Sequence, residues 1–354
     1  MQPPTEKQAV PQVQERLAEL LGLQPSEAKL GPHEEAPDAD AVIELGGFVF
    51  VVEWKGSGDV AAVSNAVQQA RRYAAALGES AMPLVAVPFM GAVGRERCRE
   101  AEMGWIDLSG NARIVAPGLR VRIEGQPNRF KRPGRPSSAF APKSARIARW
   151  LLMHSQRSMT QHEIARATEM DKGFTSRIVS KLEEDGLVVR EPDGAIRVRD
   201  PDLLLDAWRE DYDFSKHRIA PGHVPARSGD ALLRRMVNEL GPRGIQYAAT
   251  GLAAAWLLNR FAAFRLVTLY LAETPDPELL EDLGFREDER GANTWLVVPN
   301  DEGVFHGARD VDGARCVHPV QVYLDLHEHP ERANEAAERL RSQISTRRSS
   351  GQRR

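Results

Sequence analysis

The stretch Asp171-Lys-Gly-Phe-Thr-Ser-Arg-Ile-Val-Ser-Lys-Leu-Glu-Glu-Asp-Gly-Leu-Val-Val-Arg-Glu-Pro-Asp-Gly-Ala-Ile-Arg-Val-Arg199 decides how this chain is read. Asp171 is a good N-cap, and Phe174, Ile178, Val179 and Leu182 then recur at helical spacing to make an apolar stripe. The helix is predicted to end near Asp185-Gly186. Beyond it, two short β-rich runs surround Asp193-Gly194, a tight-turn signal. Working outward, Ala145 to His154 alternates apolar and basic groups at helical spacing. Thr160-Gln-His-Glu163 has the form of a capping box that opens a second helix.

Three helices and a hairpin in this order resemble a winged helix-turn-helix domain, and Phe174 to Val188 resembles the recognition region of MarR-type regulators. With the stripe turned inward, Lys172, Thr175, Ser176, Arg177, Ser180 and Lys181 are expected to face outward. Arginine and lysine can bond guanine edges or phosphates, while serine and threonine fix register on the backbone. Arg190, Arg197 and Arg199 would let the wing grip the flanking groove. The competing reading of the same face is a protein-protein module with a solvated charged surface.

Charge agrees with a nucleic-acid partner. The 354 residues carry 47 Lys and Arg against 50 Asp and Glu, a net charge of -3, but the division along the chain is uneven. Counted from the sequence, residues 1–124 carry -5, 125–199 carry +7, 200–340 carry -10 and 341–354 carry +5. A positive block between acidic ones marks a polyanion-binding module, here double-stranded DNA. Gly125 to Lys143 is rich in Pro, Gly and Ser and reads as a linker. Within it, Arg132-Pro-Gly-Arg-Pro136 resembles an AT-hook that lays Arg132 and Arg135 in the minor groove, although Pro133 interrupts the usual Arg-Gly-Arg core.

The predicted organisation is an α/β multi-domain chain. It comprises an α/β domain over 1–124, a basic linker over 125–143 and the winged helix over 144–220. An α/β domain over 229–340 and a basic disordered tail over 341–354 complete it, with a boundary near Pro221 to Ser228. Hydrophobic residues make up 42% of the chain, enough for real cores. Two cysteines, Cys98 and Cys316, are too few for a disulfide framework. No apolar run approaches the ~20 residues that span a bilayer, and the start has no signal core, so a cytoplasmic protein without membrane contact is expected.

Near the start, a helix over Val10 to Leu21 precedes Asp40-Ala-Val-Ile-Glu-Leu-Gly-Gly-Phe-Val-Phe-Val-Val-Glu-Trp-Lys55. Gly46-Gly47 is a two-residue hairpin signal, and its register places Asp40 opposite Glu53 with Lys55 on the same face. Two carboxylates and a lysine there make a plausible divalent-metal site. The pattern resembles the PD-(D/E)xK nuclease superfamily. Helical Asn65-Ala-Val-Gln-Gln-Ala-Arg-Arg-Tyr73 and strand Pro83 to Pro88 continue the resemblance. It implies that Asp40 and Glu53 bind Mg²⁺, that Lys55 assists, and that Gln68 or Gln69 supports the site. The proline of the signature stands before Asp38, which leaves open whether Asp38 or Asp40 is the ligand. The bland alternative is an edge hairpin with solvated polar ends. Trp105 to Arg113 has two readings, a site loop with Asp107 and Asn111 or, the commoner case for such a run, a strand end with turn chemistry.

In the last domain, Ala248 to Leu258 and Pro319 to Arg341 are expected to be helical, with Arg265 to Leu271 and Thr294 to Val298 extended. Tyr247 to Ala255, Gly291 to Leu296 and His318 to Leu326 ahead of Glu335 to Leu340 resemble the C-terminal domain of AbiEi-family proteins. These are antitoxins and transcriptional regulators of type IV toxin-antitoxin systems. The resemblance covers roughly residues 143–340 and implies promoter binding and repression of the operon; a third reading has the last domain bind a toxin or other neighbouring-gene product, and a homodimer is an expectation from operator symmetry. That domain looks distantly like a nucleotidyltransferase, but the 266–271 strand lacks paired aspartates, so no transfer is expected. His327-Glu-His329 and Cys316-x-His318 fit no common metal spacing and read as exposed polar positions, while Tyr323 and Leu324 read as core. The leading expectation is a sequence-specific DNA-binding regulator. The alternative is a Mg²⁺-dependent DNA endonuclease that the winged helix targets.

Overall fold

A computed structural model describes residues 2–31, 36–130, 138–261 and 263–351, with side chains placed through Ile344. The chain forms two compact units, Met1–Pro136 and Ser137–Arg354.

The first unit runs α1 (Glu6–Leu21), β1 (Lys29–Gly31), β2 (Ala41–Leu45), β3 (Phe48–Trp54), α2 (Val60–Leu77), β4 (Ala81–Val87), α3 (Ala92–Glu100), β5 (Gly104–Asp107), β6 (Ala112–Ala116) and β7 (Leu119–Ile123). The strands lie side by side in chain order. Strands β3, β4 and β5 are parallel, with antiparallel pairs at either side. Alternation sorts the strands' side chains. Ile43, Phe50, Trp54, Leu84 and Ile106 face Val13 and Leu17 of α1, and Val85, Val87 and Trp105 face Val63, Ala66 and Ala70 of α2. Gly46 and Gly47 take φ of 61° and 83° in the β2–β3 turn, and Leu45 pairs with Phe48, as the hairpin register predicts. The order hairpin, helix, strand is therefore present.

The second unit begins with the winged-helix elements α4 (Ala145–Met153), α5 (Gln161–Ala167), α6 (Lys172–Glu184), β8 (Val188–Arg190) and β9 (Ile196–Val198). The Thr160–Glu163 capping box forms, Asp171 caps α6 through the amide of Phe174, and Asp193-Gly194 lies in the turn between β8 and β9. Next come α7 (Pro201–Asp211), β10 (Arg218–His223), α8 (Gly229–Leu240), β11 (Tyr247–Thr250), α9 (Gly251–Asn259), β12 (Val267–Leu271), α10 (Pro277–Leu283) and β13 (Arg286–Glu287). The unit closes with β14 (Thr294–Val298), β15 (Arg309–Val311), β16 (Ala314–Cys316), α11 (Pro319–Leu326) and α12 (Ala333–Gly351). Its sheet has the order β13-β10-β14-β12-β11-β16-β15, and α9, α11 and α12 pack on one another.

Four expectations are corrected here. Residues 221–228 do not separate two domains, because Pro221 and Gly222 pair with Trp295 and Thr294 inside the sheet. Gly222 has to be glycine, since a Cβ there would lie 2.2 Å from the Phe285 ring. Ala248 to Thr250 form a strand, not the start of a helix, because β11 is buried between β12 and β16, where small side chains fit. The helix predicted over Pro319 to Arg341 is two helices, α11 and α12, with residues 327–332 between them. Finally, residues 341–351 of the tail expected over 341–354 continue α12, and residues 352–354 lie outside the described residues. The Arg341 guanidinium bonds both Asp206 oxygens at 2.6 and 2.9 Å and the Tyr323 hydroxyl at 3.0 Å.

Candidate functional sites

In the first unit, the β2–β3 register brings three of the predicted residues together. The Lys55 Nζ lies 3.1 Å from Glu53 Oε2 and 4.0 Å from Asp40 Oδ2, while Asp40 Oδ2 accepts the Trp54 amide proton at 2.8 Å. Glu53 is 1% exposed, and its Oε1 is buried without a hydrogen-bond partner. Loss of water pushes the Glu53 carboxyl up from its ordinary range, and the Asp40 charge adds to this; Lys55 pulls the other way. Asp38 is exposed, Gln68 is exposed and Gln69 half-buried. Among the described residues neither glutamine bonds to the trio, so the structure does not add them to it.

Asp107 is a turn organiser, as its sequence context predicts. It accepts hydrogen bonds from the amides of Met90 at 3.0 Å and Asn111 at 2.8 Å, and from Asn111 Nδ2 at 2.9 Å. Among the described residues no group of three or more His, Cys, Asp or Glu side chains could hold a metal ion.

In the second unit, α6 buries Thr175, Ile178, Val179 and Leu182. This corrects two positions. The inward stripe begins at Thr175, whose hydroxyl donates to the Asp171 carbonyl at 2.9 Å, so it is not on the outer face. Phe174 is half-buried, with the Arg177 guanidinium 5.4 Å from its ring centre. The i, i+3, i+4, i+7 set is complete with the threonine, and a methyl-bearing side chain that bonds its own helix can sit inside.

The outer face of α6 keeps Lys172 and Arg177 exposed and Ser176, Ser180 and Lys181 half-buried. Lys181 Nζ is 2.7 Å from Asp185 Oδ1, Arg190 is 3.1 Å from Glu183 and Arg197 is 2.5 Å from Glu191, while Arg199 is exposed. Exposed pairs of this kind are worth ~1 kcal/mol or less, so a phosphate can compete for these cations. Arg132 and Arg135 lie outside the described residues.

Sequence reasoning missed the buried polar cluster that joins the winged helix to the following sheet. From α4, Arg146 grips Asp301 with two bonds of 2.7 and 2.8 Å and reaches Glu302 at 3.0 Å. Arg149, 3% exposed, donates to Gln321 Oε1 at 2.6 Å. Gln321 Nε2 in turn donates to Asp325 Oδ1 at 2.7 Å, and the hydroxyls of Tyr212, Tyr270 and Thr250 also donate to Asp325. Burial pushes the Asp325 carboxyl up to about 6.

Two histidines complete this cluster. His217 accepts the Asn300 amide proton on Nδ1 at 3.1 Å, which leaves Nε2–H for the hydroxyls of Tyr212 and Tyr270. His329 Nδ1 lies 2.7 Å from the Asp325 carbonyl, which can only accept, so Nε2 accepts from Thr268. Both rings are thus neutral, and burial holds both down to about 4. His329 and Cys316 are therefore not exposed, against expectation, and His318 accepts the Val320 amide proton at 3.2 Å at the start of α11. A signal was present: Gln321 and Asp325 stand four residues apart in an otherwise apolar run, the spacing of one helix face.

Among the described residues no helix is long and apolar enough to cross a membrane. Comparison with curated proteins and with solved structures gives no match. Residues 141–195 match the MarR family, and residues 197–345 match the family described as transcriptional regulator, AbiEi antitoxin, type IV TA system. The α6 face and the first wing strand, β8, lie in the first match, while Arg197, Arg199 and most of the buried cluster lie in the second. The chain therefore carries a MarR-family winged helix domain followed by an AbiEi-type antitoxin domain, the pair of a DNA-binding transcriptional regulator.

Proposed function

We propose that this regulator is sequence-specific, binds an operator upstream of its own gene and represses it. The observation that carries the reading is the open face of α6, where exposed Lys172 and Arg177 flank Ser176 and project from a capped, well-packed helix. Arg177 reads a base edge, Lys172 and Lys181 bind phosphate, and Ser176 and Ser180 set register. Arg190, Arg197 and Arg199 hold the flanking groove from the wing, and Arg132 and Arg135 add a basic arm. Two copies on a palindromic operator would match DNA symmetry, and the product of a neighbouring toxin gene is the protein partner.

The test is a mobility shift with end-labelled upstream DNA, run with Mg²⁺ and with EDTA. Salt-sensitive retardation that resists bulk competitor, with intact DNA in both lanes, is expected. No preference over bulk DNA would end this reading.

A second reading rests on Glu53, whose Oε1 is buried and unmatched beside Asp40 and Lys55. Mg²⁺ is commonly bound by one or two carboxylates plus water and phosphate, so the residues present fit it. Asp40 and Glu53 would hold the ion, which would supply Lewis-acid activation of water, and Lys55 would stabilise developing negative charge. Shortened fragments only in the Mg²⁺ lane, lost in Glu53→Ala, would favour this deoxyribonuclease.

A further inference from the structure

We propose that the first unit carries a DNA-contacting surface of its own, the open face of β6 and β7 beside α3, whose arginines hold phosphates of duplex DNA without regard to sequence. The net charge of -5 over residues 1–124 hides this face. Ala112 and Ile114 of β6 belong to the core under α1, and Leu119 and Val121 of β7 pack against it. Alternation therefore sends Arg113, Val115, Arg120 and Arg122 to the other side of the sheet, the side on which Cys98 of α3 packs beside Trp105. There Arg113 stands directly opposite Arg122, and Val115 opposite Arg120.

Like charges opposed on an antiparallel pair are destabilising, so folding alone does not favour Arg113 against Arg122. Glu124 accepts from Arg122 at 3.1 and 3.4 Å, and its carboxyl is held below the ordinary range by that bond first and then by the charges of Arg122, Arg95 and Arg113. Four arginines thus surround one carboxylate. Arg120 and Arg122 are exposed, Arg95 and Arg113 are half-buried, and Val115 is 51% exposed. Among the described residues Arg95, Arg113 and Arg120 make no ion pair.

The spacing of these cations selects the partner. Arg120 and Arg122 lie roughly 7 Å apart along the strand, and Arg113 is about 5 Å across from Arg122, so guanidinium forks recur as the phosphates of a nucleic-acid strand recur. A second copy of this chain pairing through the edge strand β7 would set Arg120 of one copy against Arg122 of the other, which charge opposes. A flat sheet face reaches phosphates rather than base edges, so the contact carries no sequence information. Residues 124–144 tether this face to the winged helix, and a duplex held by both gains from the effective concentration of the tether. The inference rests on DNA binding by the winged helix for that gain only.

The experiment uses the full chain and a short labelled duplex without the upstream sequence, titrated in EDTA at several salt concentrations. The combined variant Arg113→Gln, Arg120→Gln, Arg122→Gln should bind this duplex at least about tenfold more weakly near ~100 mM salt, and its salt slope should fall in magnitude by about two to three. Glu124→Gln removes the anion from the face and should tighten the same duplex about twofold; it serves if the combined variant fails to fold. In the Arg177→Ala background the three substitutions should cost the same factor, so loss of operator preference and loss of this contact are read separately.

Unchanged affinity and salt slope in the combined variant overturn the proposal, as does a Glu124→Gln chain that binds the duplex no more tightly. A combined variant that loses affinity for polyglutamate but not for the duplex would make the face a dock for acidic protein segments and overturn the choice of DNA. So would a larger loss on double-stranded RNA than on DNA.

Discussion

Helices α4 and α6 belong to one small domain, and both carry arginines, yet those arginines have opposite surroundings. On α4, Arg146 and Arg149 are 7% and 3% exposed and bond to Asp301 and Gln321 of the following domain. On α6, Arg177 and Lys172 are exposed, with nothing anionic of the chain paired to them among the described residues. The positive charge of residues 125–199 therefore overstates what DNA can meet. Part of it is matched inside the protein, where it fixes how the winged helix sits on its neighbour, and part is left for phosphate and bases. Segment charge identifies a polyanion binder; only burial says which cations do the binding.

The largest expected effect tests the inward half. Arg146→Ala should cost ~3–5 kcal/mol, because it leaves the Asp301 carboxylate at a part-buried position without its two-bond partner. Calorimetry of the full chain should show the transition of the second unit lower by roughly 10 °C. A shift as small as that of a surface substitution would place Arg146 with the α6 cations and dissolve the contrast.

Next in size is Arg177→Ala. It should leave the melting temperature almost unchanged while operator affinity falls about ten- to a hundredfold, ~1–3 kcal/mol, with specificity relaxed at one base pair. Lys172→Ala should instead weaken all DNA similarly and reduce the salt slope by about one. Titrations with operator and with bulk DNA at several salt concentrations separate the two. Equal losses on both DNAs for Arg177→Ala would move it to the phosphate-binding group.

Acid should act on the buried cluster behind α4. His217 and His329 are held down to about 4, so they withhold protons that the unfolded chain takes up near 6.5. The stability they give is complete above that value and is lost as pH falls towards 4. Asp325, raised to about 6, works in the opposite direction: its contribution is present at low pH and lost as pH rises through about 6. Two histidines oppose one carboxylate, so melting temperature should fall between pH 7 and 5. Asp325→Asn, though less stable throughout, should show a steeper fall. A shallower one would mean that the carboxylate does not titrate in this window.

What the sequence made legible follows the range of the interaction. Thr160–Glu163, Asp171, Gly46-Gly47 and Asp193-Gly194 act within four residues, and each is where the local rule put it. Asp40, Glu53 and Lys55 were also legible, because a two-residue turn fixes register over the next several pairs. The contacts that weld α4 to the antitoxin domain were not. Arg146 meets Asp301 across 155 positions, and nothing local distinguishes an inward arginine from an outward one. Thr175 and Phe174 exchanged roles because a threonine that bonds its own helix carries no polar signal outward. Ala248 and Ala249 read as helix because alanine is the best helix former, and central sheet placement overrode that preference.

The smallest expected effect concerns the other buried carboxylate. Asp325 accepts hydrogen bonds from four side chains, whereas Glu53 has Lys55 on one oxygen and nothing on the other. Glu53→Gln keeps the shape and deletes a charge opposed by both burial and Asp40, while the partly exposed Lys55 retains water and Asp40. Stability at pH 7 should be unchanged or higher by up to ~1 kcal/mol. Because the carboxyl is raised, its charged form costs the folded state more as pH climbs above the ordinary value of 4.5, so any gain should vanish below that pH. Chemical denaturation at pH 4 and pH 7 measures both. A loss above ~1 kcal/mol at pH 7 would make Glu53 an architectural ion pair like Arg146–Asp301, and unchanged or raised stability would leave a costly charge that folding alone does not require.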